Sequence, residues 1–247
     1  MTTDDLAASA HAPARTRSRR LWLLLRDVLV IVAIALVVSF LVKTFLVRSF
    51  YIPSGSMERT LVKDDRILVD QLTPRFGGYD RGDVVVFRDP GGWLPPTVEP
   101  ARSPFVEGVD WVLSIVGLSA PDSKDHLIKR IVGVAGDHVV CCNAVGQITV
   151  NDVPIDESSY VSLADGQSAP QEVPFDVTVP ENALWVLGDN RDHSRDSRYN
   201  RDQPSQGFVP LDNVVGRAFL ITWPLDRFGP IDFHHDVFAG VPDAASR

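Results

Sequence analysis

Two short stretches of this chain hold residue types suited to nucleophilic catalysis. Residues 51–61 read Tyr-Ile-Pro-Ser-Gly-Ser-Met-Glu-Arg-Thr-Leu and offer Ser56 as a possible nucleophile. Gly55 permits a sharp turn beside that hydroxyl, and Pro53 stiffens the approach to it. Ser-Gly-Ser is ordinary turn composition, so the serine alone specifies little. Residues 127–133, Leu-Ile-Lys-Arg-Ile-Val-Gly, place Lys129 inside an apolar run of strand type. Only Lys43, Lys63, Lys124 and Lys129 are lysines among 24 basic residues, so arginine serves wherever a generic positive charge suffices. Burial disfavours an ammonium and lowers a lysine pKa from about 10.4. Arginine cannot be usefully deprotonated and cannot replace lysine as a base. Strand alternation alone more often turns such a lysine to solvent. A serine beside a buried lysine is a variant of the hydroxyl–base pair of nucleophilic catalysis.

A third stretch, residues 188–198, reads Gly-Asp-Asn-Arg-Asp-His-Ser-Arg-Asp-Ser-Arg. Its alternating carboxylates and guanidiniums suit a turn held by ion pairs. Ser194 could orient a base. His193 is the rival base, because imidazole titrates near pH 6.5, although a loop histidine is more often solvent-exposed.

These residues must be positioned by a membrane segment and a β-rich body. Residues 21–47 contain an apolar stretch over 28–42, extended backwards by 21–25 across Arg26 and Asp27. That length can span a hydrocarbon core of about 30 Å. Arg26 and Lys43 can snorkel toward its two interfaces. Arg15, Arg17, Arg19 and Arg20 precede it and favour a cytoplasmic N-terminus with the remainder outside. Lys43-Thr44-Phe45-Leu46 takes the place of a small-x-small cleavage site, so an uncleaved signal-anchor is expected. Residues 1–20, small, polar and basic, read as a disordered cytoplasmic tail.

Beyond the anchor, Val-rich runs at 66–70, 83–88, 127–133, 138–142, 147–151, 183–187 and 214–222 lie between turn residues and predict a mostly β body. Residues 89–126 hold six prolines and four glycines together with Trp93 and Trp111 and read as a long loop, its aromatics either at lipid headgroups or packed on the body. Residues 154–180 form a second loop-rich region. Only three of the 32 acidic residues precede residue 48, so the body is acidic and nucleic acid is an unlikely partner. The two cysteines, Cys141 and Cys142, are adjacent. Their Cα spacing of about 3.8 Å is closer than usual disulfides allow, which leaves their oxidation state open. They make no zinc spacing either.

Taken together the three stretches and the anchor resemble the bacterial type I signal peptidases. The match covers residues 51–61, 81–87, 129–137 and 188–198, in the family's usual order. The resemblance implies a membrane-bound serine endopeptidase that removes N-terminal signal peptides from exported pre-proteins, with membrane lipid as the other partner. It implies no metal and no organic cofactor. It makes Ser56 the nucleophile and Lys129 the general base. Ser54 would stabilise the oxyanion with the Ser56 backbone N–H, and Ser194 would hydrogen-bond the lysine. Asp189, Arg191, Asp196 and Arg198 would support the site. Arg59 stands where the family often has proline, Ala135 where its motif would have proline, and His193 where it often has asparagine.

The expected fold is one transmembrane helix over 21–47 followed by a catalytic domain over 48–228. Its core combines 51–137 with 183–228, a smaller β lobe is inserted at 138–182, and 229–247 form a C-terminal tail. Two other functions fit parts of the chain. A self-cleaving serine–lysine regulator would need a DNA-binding module that residues 1–20 are too short to supply. A non-catalytic, membrane-anchored β-rich binding protein would carry an inert serine.

Overall fold

The computed structural model describes residues 15–95, 125–162 and 173–244. The expectations for residues 1–14, for Trp111 and most of 89–126, and for 163–172 fall outside the described residues. The chain divides into two units at residues 42 and 43. The first holds most of helix α1 (Arg15–Phe45). No proline or glycine interrupts α1, and its Leu, Ala and Arg residues favour the helical state. The arginine block therefore belongs to the helix, which starts at Arg15, six residues ahead of the expected segment. Residues Leu21–Ser39 are long and apolar enough to cross a membrane, about 28 Å at helical rise. Arg26 and Asp27, the charges within this run, pair with each other at 2.8 Å.

The second unit is mostly β. In chain order its elements are β1 (Val47–Tyr51), β2 (Arg66–Asp70), a short helix α2 (Thr73–Gly77), β3 (Val84–Arg88), β4 (His126–Gly133), β5 (His138–Cys141), β6 (Thr149–Val150) and β7 (Val153–Pro154). These are followed by β8 (Phe175–Thr178), β9 (Ala183–Leu187), β10 (Val209–Pro210), β11 (Val214–Trp223) and β12 (Gly229–Pro230). Among the described residues, one sheet runs β1-β2-β11-β3-β4-β9-β10 with β12 on β11, and a second runs β7-β6-β5-β8. The large sheet thus takes its strands from both sides of residues 138–178, which build the small one.

Strand β4 lies inside the large sheet. Its first half pairs antiparallel with β3, Val85 opposite Lys129, and from Arg130 onward it also pairs with β9. Its residues from Ile128 to Gly133 are buried, so this strand is covered on both faces. One apolar cluster gathers Phe50, Ile52, Met57, Leu61, Ile67 and Val69. A second holds Phe87, Trp93, Ile131 and Val186. A third joins the small sheet to β9 through Val139, Phe175 and Trp185.

Trp93 is 1% exposed. Its ring meets Phe87 edge-on at 5.6 Å, and its Nε1 donates to Ser205 Oγ at 3.0 Å. This tryptophan packs on the body rather than at a lipid surface, because the body supplies both an aromatic wall and an acceptor for its N–H. Residues 229–242 also pack on the body. Phe238 and Val241 are buried, and the Pro242 carbonyl accepts from Arg81 at 3.2 Å and Asn151 at 2.9 Å. Cys141 and Cys142 are joined as a disulfide beside the third cluster.

Candidate active site

The turn carrying Ser56 follows β1 directly. Ile52 N–H donates to the Asp65 carbonyl and Asp64 N–H to the Ile52 carbonyl, both at 2.9 Å, so the two ends of the turn are stitched together. Tyr51 Oη adds a hydrogen bond to Asp64. Met57 and Leu61 are fully buried below the turn, and each such side chain contributes about 1.5–3 kcal/mol of burial. Gly55 is not left-handed in this turn, whereas Arg59, at φ 81°, and Asp64, at φ 76°, are. A Cβ at Gly55 would meet only the Glu58 carboxylate, the movable end of a side chain.

Lys129 is 4% exposed. Its Nζ donates to Ser56 Oγ at 2.8 Å and to its neighbour's carbonyl, Ile128 O, at 2.9 Å. The solvent-facing outcome is thereby ruled out, since β4 has no open face at this position. Burial lowers its pKa to about 8, against the opposing pull of Asp196 and Asp189; Arg198 adds to the lowering. An amine with that pKa has a neutral fraction near neutral pH and a hydroxyl within proton-transfer distance. Ser54, exposed, sets its Oγ 3.5 Å from Ser56 Oγ.

The motif after β9 supplies the surroundings. Asp189 pairs with Arg130 through two bonds, 2.9 and 2.8 Å, with both side chains fully buried. Asp196 accepts from Arg198 Nε and Nη2, each at 2.9 Å, and from the Gly188 N–H at 3.0 Å. Burial pushes the Asp196 carboxyl up, but Arg198, the Gly188 N–H and the Lys129 charge together hold it below the usual carboxylate range. Asp196 therefore stays ionised where the lysine titrates. Arg191 donates to the Gly188 carbonyl at 3.0 Å and to both Glu157 oxygens at 2.8 and 2.5 Å. These pairs surround the serine–lysine contact without touching it.

Ser194 differs from expectation. It is 4% exposed and lies against Gly188, yet its Oγ has no hydrogen-bond partner among the described residues. His193 turns its Nδ1 toward Asn190 Oδ1 at 3.3 Å, not toward Ser56. Sequence reasoning missed several residues that tie the site together. Asn190 N–H donates to the Ser56 carbonyl at 3.1 Å, and its Nδ2 donates to Gly55 O and Glu58. Thr60 Oγ1 donates to Asp189 at 2.5 Å. Tyr160 lies beneath the Arg130 guanidinium at 4.4 Å and donates to Glu157 at 2.6 Å. For Arg130 the available signals were its adjacency to Lys129 and its place in the matched stretch 129–137. Nothing in the local pattern marks Glu157 or Tyr160.

The family model described as signal peptidase, peptidase S26, matches residues 25–223. Signal peptidase I of Mycobacterium tuberculosis is 41% identical, over 92% of this chain and 81% of the relative. The probable signal peptidase I of Mycobacterium leprae is 36% identical, over 73% of this chain and 70% of the relative. A probable signal peptidase I-2 of Synechocystis is 30% identical, over 92% and 85%. The matched residues include the end of the apolar helix, the Ser56 turn, β4 and the motif after β9. By the extent of that match and the identity of these relatives, the chain belongs to the signal peptidase family, peptidase S26.

Proposed function

We propose that this protein is a membrane-anchored serine endopeptidase that cleaves signal peptides from exported pre-proteins, with Ser56 as nucleophile and Lys129 as general base. The observation that carries the roles is the buried 2.8 Å contact between Lys129 Nζ and Ser56 Oγ. Neutral Lys129 takes the Ser56 proton as Oγ attacks the scissile carbonyl. The resulting ammonium then gives that proton to the leaving amine, and water, deprotonated by the again neutral Lys129, hydrolyses the acyl-enzyme. The tetrahedral oxyanion would be met by Ser54 Oγ and the Ser56 N–H, donors of a type each worth about 10²–10³ in rate. Asp189, Arg191, Asp196 and Arg198 act by fixing the turn and strand, and Ser194 by packing beside them. The apolar helix holds the enzyme in the bilayer, its arginine-rich start on the cytoplasmic side. A pre-protein lodged in the same bilayer by its own apolar segment then meets the site in two dimensions.

Precursor processing by purified variants tests the assignment. Ser56→Ala and Lys129→Ala should each abolish cleavage. Lys129→Arg should be equally inactive, because a permanently charged guanidinium accepts no proton. His193→Ala should keep most activity, since its ring faces Asn190. Substantial turnover by Lys129→Arg would reduce the lysine to a positive charge and reject the base assignment.

A further inference from the structure

Arg59 occupies a position where proline cannot stand in this chain. Its φ of 81° is left-handed, and the proline ring holds φ near −65°. A non-glycine residue resists that conformation, so another interaction must hold it. The side chain provides one: Arg59 Nη1 donates to the Ser158 carbonyl at 2.9 Å and to the Val161 carbonyl at 2.8 Å, 99 and 102 positions along the chain.

The segment that accepts these bonds, residues 157–162, is itself firmly held. Its Tyr160 and Val161 N–H groups donate to the Glu157 carbonyl at 3.1 and 3.0 Å. Its Glu157 carboxylate binds Arg191, and its Tyr160 ring covers Arg130, the neighbour of the catalytic lysine. Ser162 N–H donates to the Asp189 carbonyl at 2.8 Å, beside Asn190, whose own N–H donates to the Ser56 carbonyl. The contacts close a ring from Ser56 through Arg59, Val161, Ser162 and Asn190 back to Ser56. One strap therefore touches the nucleophile turn, the lysine strand and the third motif.

We infer that Arg59 is a positioning residue, a latch that ties the nucleophile turn to the 157–162 strap and so sets Ser56 Oγ against Lys129 Nζ. The inference rests on the Ser56 and Lys129 roles proposed above. Without the latch residue 59 relaxes away from its left-handed conformation and the 55–61 turn rotates, carrying Ser56 off the lysine and admitting water to the amine.

The test uses the full-length chain in detergent with a precursor substrate. Arg59→Gly and Arg59→Asn both accept a left-handed backbone but lack the reach to the strap, so one replaces the other if either folds poorly. In both, kcat should fall by about tenfold to a hundredfold, the scale of a misplacement near 1 Å. KM should change little, and the midpoint of the single-turnover pH profile should move upward as Lys129 becomes hydrated. Arg59→Lys, which keeps the charge and part of the donor capacity, should recover some of the loss. A purely structural role would lower Tm while leaving kcat per folded enzyme and the pH midpoint unchanged. That result, or wild-type kinetics in both variants, overturns the latch. Ser56→Ala is run alongside: turnover there removes the nucleophile assignment itself and the latch with it, a failure distinct from wild-type kinetics in the Arg59 variants.

Discussion

The Lys129 amine is set by opposing effects of unequal size. Burial draws its pKa down from 10.5, Asp196 and Asp189 push it back up, and the balance lies at about 8. At pH 7 about a tenth of the enzyme then carries the neutral amine. Single-turnover cleavage should rise about tenfold per pH unit below the midpoint and level off above pH 8. A flat profile from pH 6 to 9, with chemistry rate-limiting, would remove Lys129 as the base. The same shift makes a stability statement. The folded pKa lies below the unfolded one, so between about 8 and 10.5 the unfolded chain binds more protons and stability rises with pH. Below 8 both states are protonated and the fold bears the whole cost of a buried ammonium, on the order of 3 kcal/mol. Lys129→Met should therefore be more stable than wild type at pH 7 and lose that advantage toward pH 10.5. Denaturant unfolding at several pH values checks this, and a pH-independent difference between the two proteins would contradict it.

At the scale of elements, the site depends on how closely the end of β9 approaches the nucleophile turn. A Cβ on Gly188 would lie 2.2 Å from Ser194 Oγ and 2.5 Å from the Ser56 carbonyl oxygen. Neither contact is relieved by a side-chain rotation, because Ser194 Cβ also lies 2.4 Å away and the Ser56 oxygen is backbone. Gly188→Ala should abolish processing, and adding Ser194→Gly should not restore it, because the Ser56 clash remains. Recovery of near wild-type cleavage in that double variant would show that only the Ser194 side chain fills the space. Such approaches are invisible to local pattern, which explains what the sequence did and did not reveal. Strands 66–70 and 183–187 were legible to the residue, since Val and Leu runs there stop at turn residues. Strand β1 was not, because its Val47 and Phe50 merely continue the apolar run of the helix before it. The two-residue strands β7, β10 and β12 are fixed by their partners and carry no period of their own, while β6 falls within the expected run at 147–151. The same distinction holds in the site. Ser56 and Lys129 could be singled out as candidates by residue type and setting and took their roles from the family resemblance, whereas Asn190, Glu157, Tyr160 and the latch at Arg59 depend on pairings between distant segments.

At the scale of the molecule, the chain combines a helix whose Leu21–Ser39 run is apolar and exposed with a separate β unit that has its own buried clusters. An exposed apolar run of that size suits an apolar solvent, in keeping with the membrane anchor proposed above. Confinement to the bilayer also changes the reaction order. Enzyme and membrane-lodged precursor in one vesicle encounter each other in two dimensions at high effective concentration. Held in different vesicles, they depend on collision or exchange between bilayers. Wild-type enzyme co-reconstituted with a precursor that retains its apolar segment should process it far faster than the same amounts divided between two vesicle populations. A soluble peptide carrying only the cleavage region should be cut at similar rates in both arrangements, since it reaches the site through water. Equal processing of the lodged precursor in the two arrangements would mean that the shared bilayer contributes nothing to encounter. The helix would then serve to retain the enzyme rather than to present its substrate.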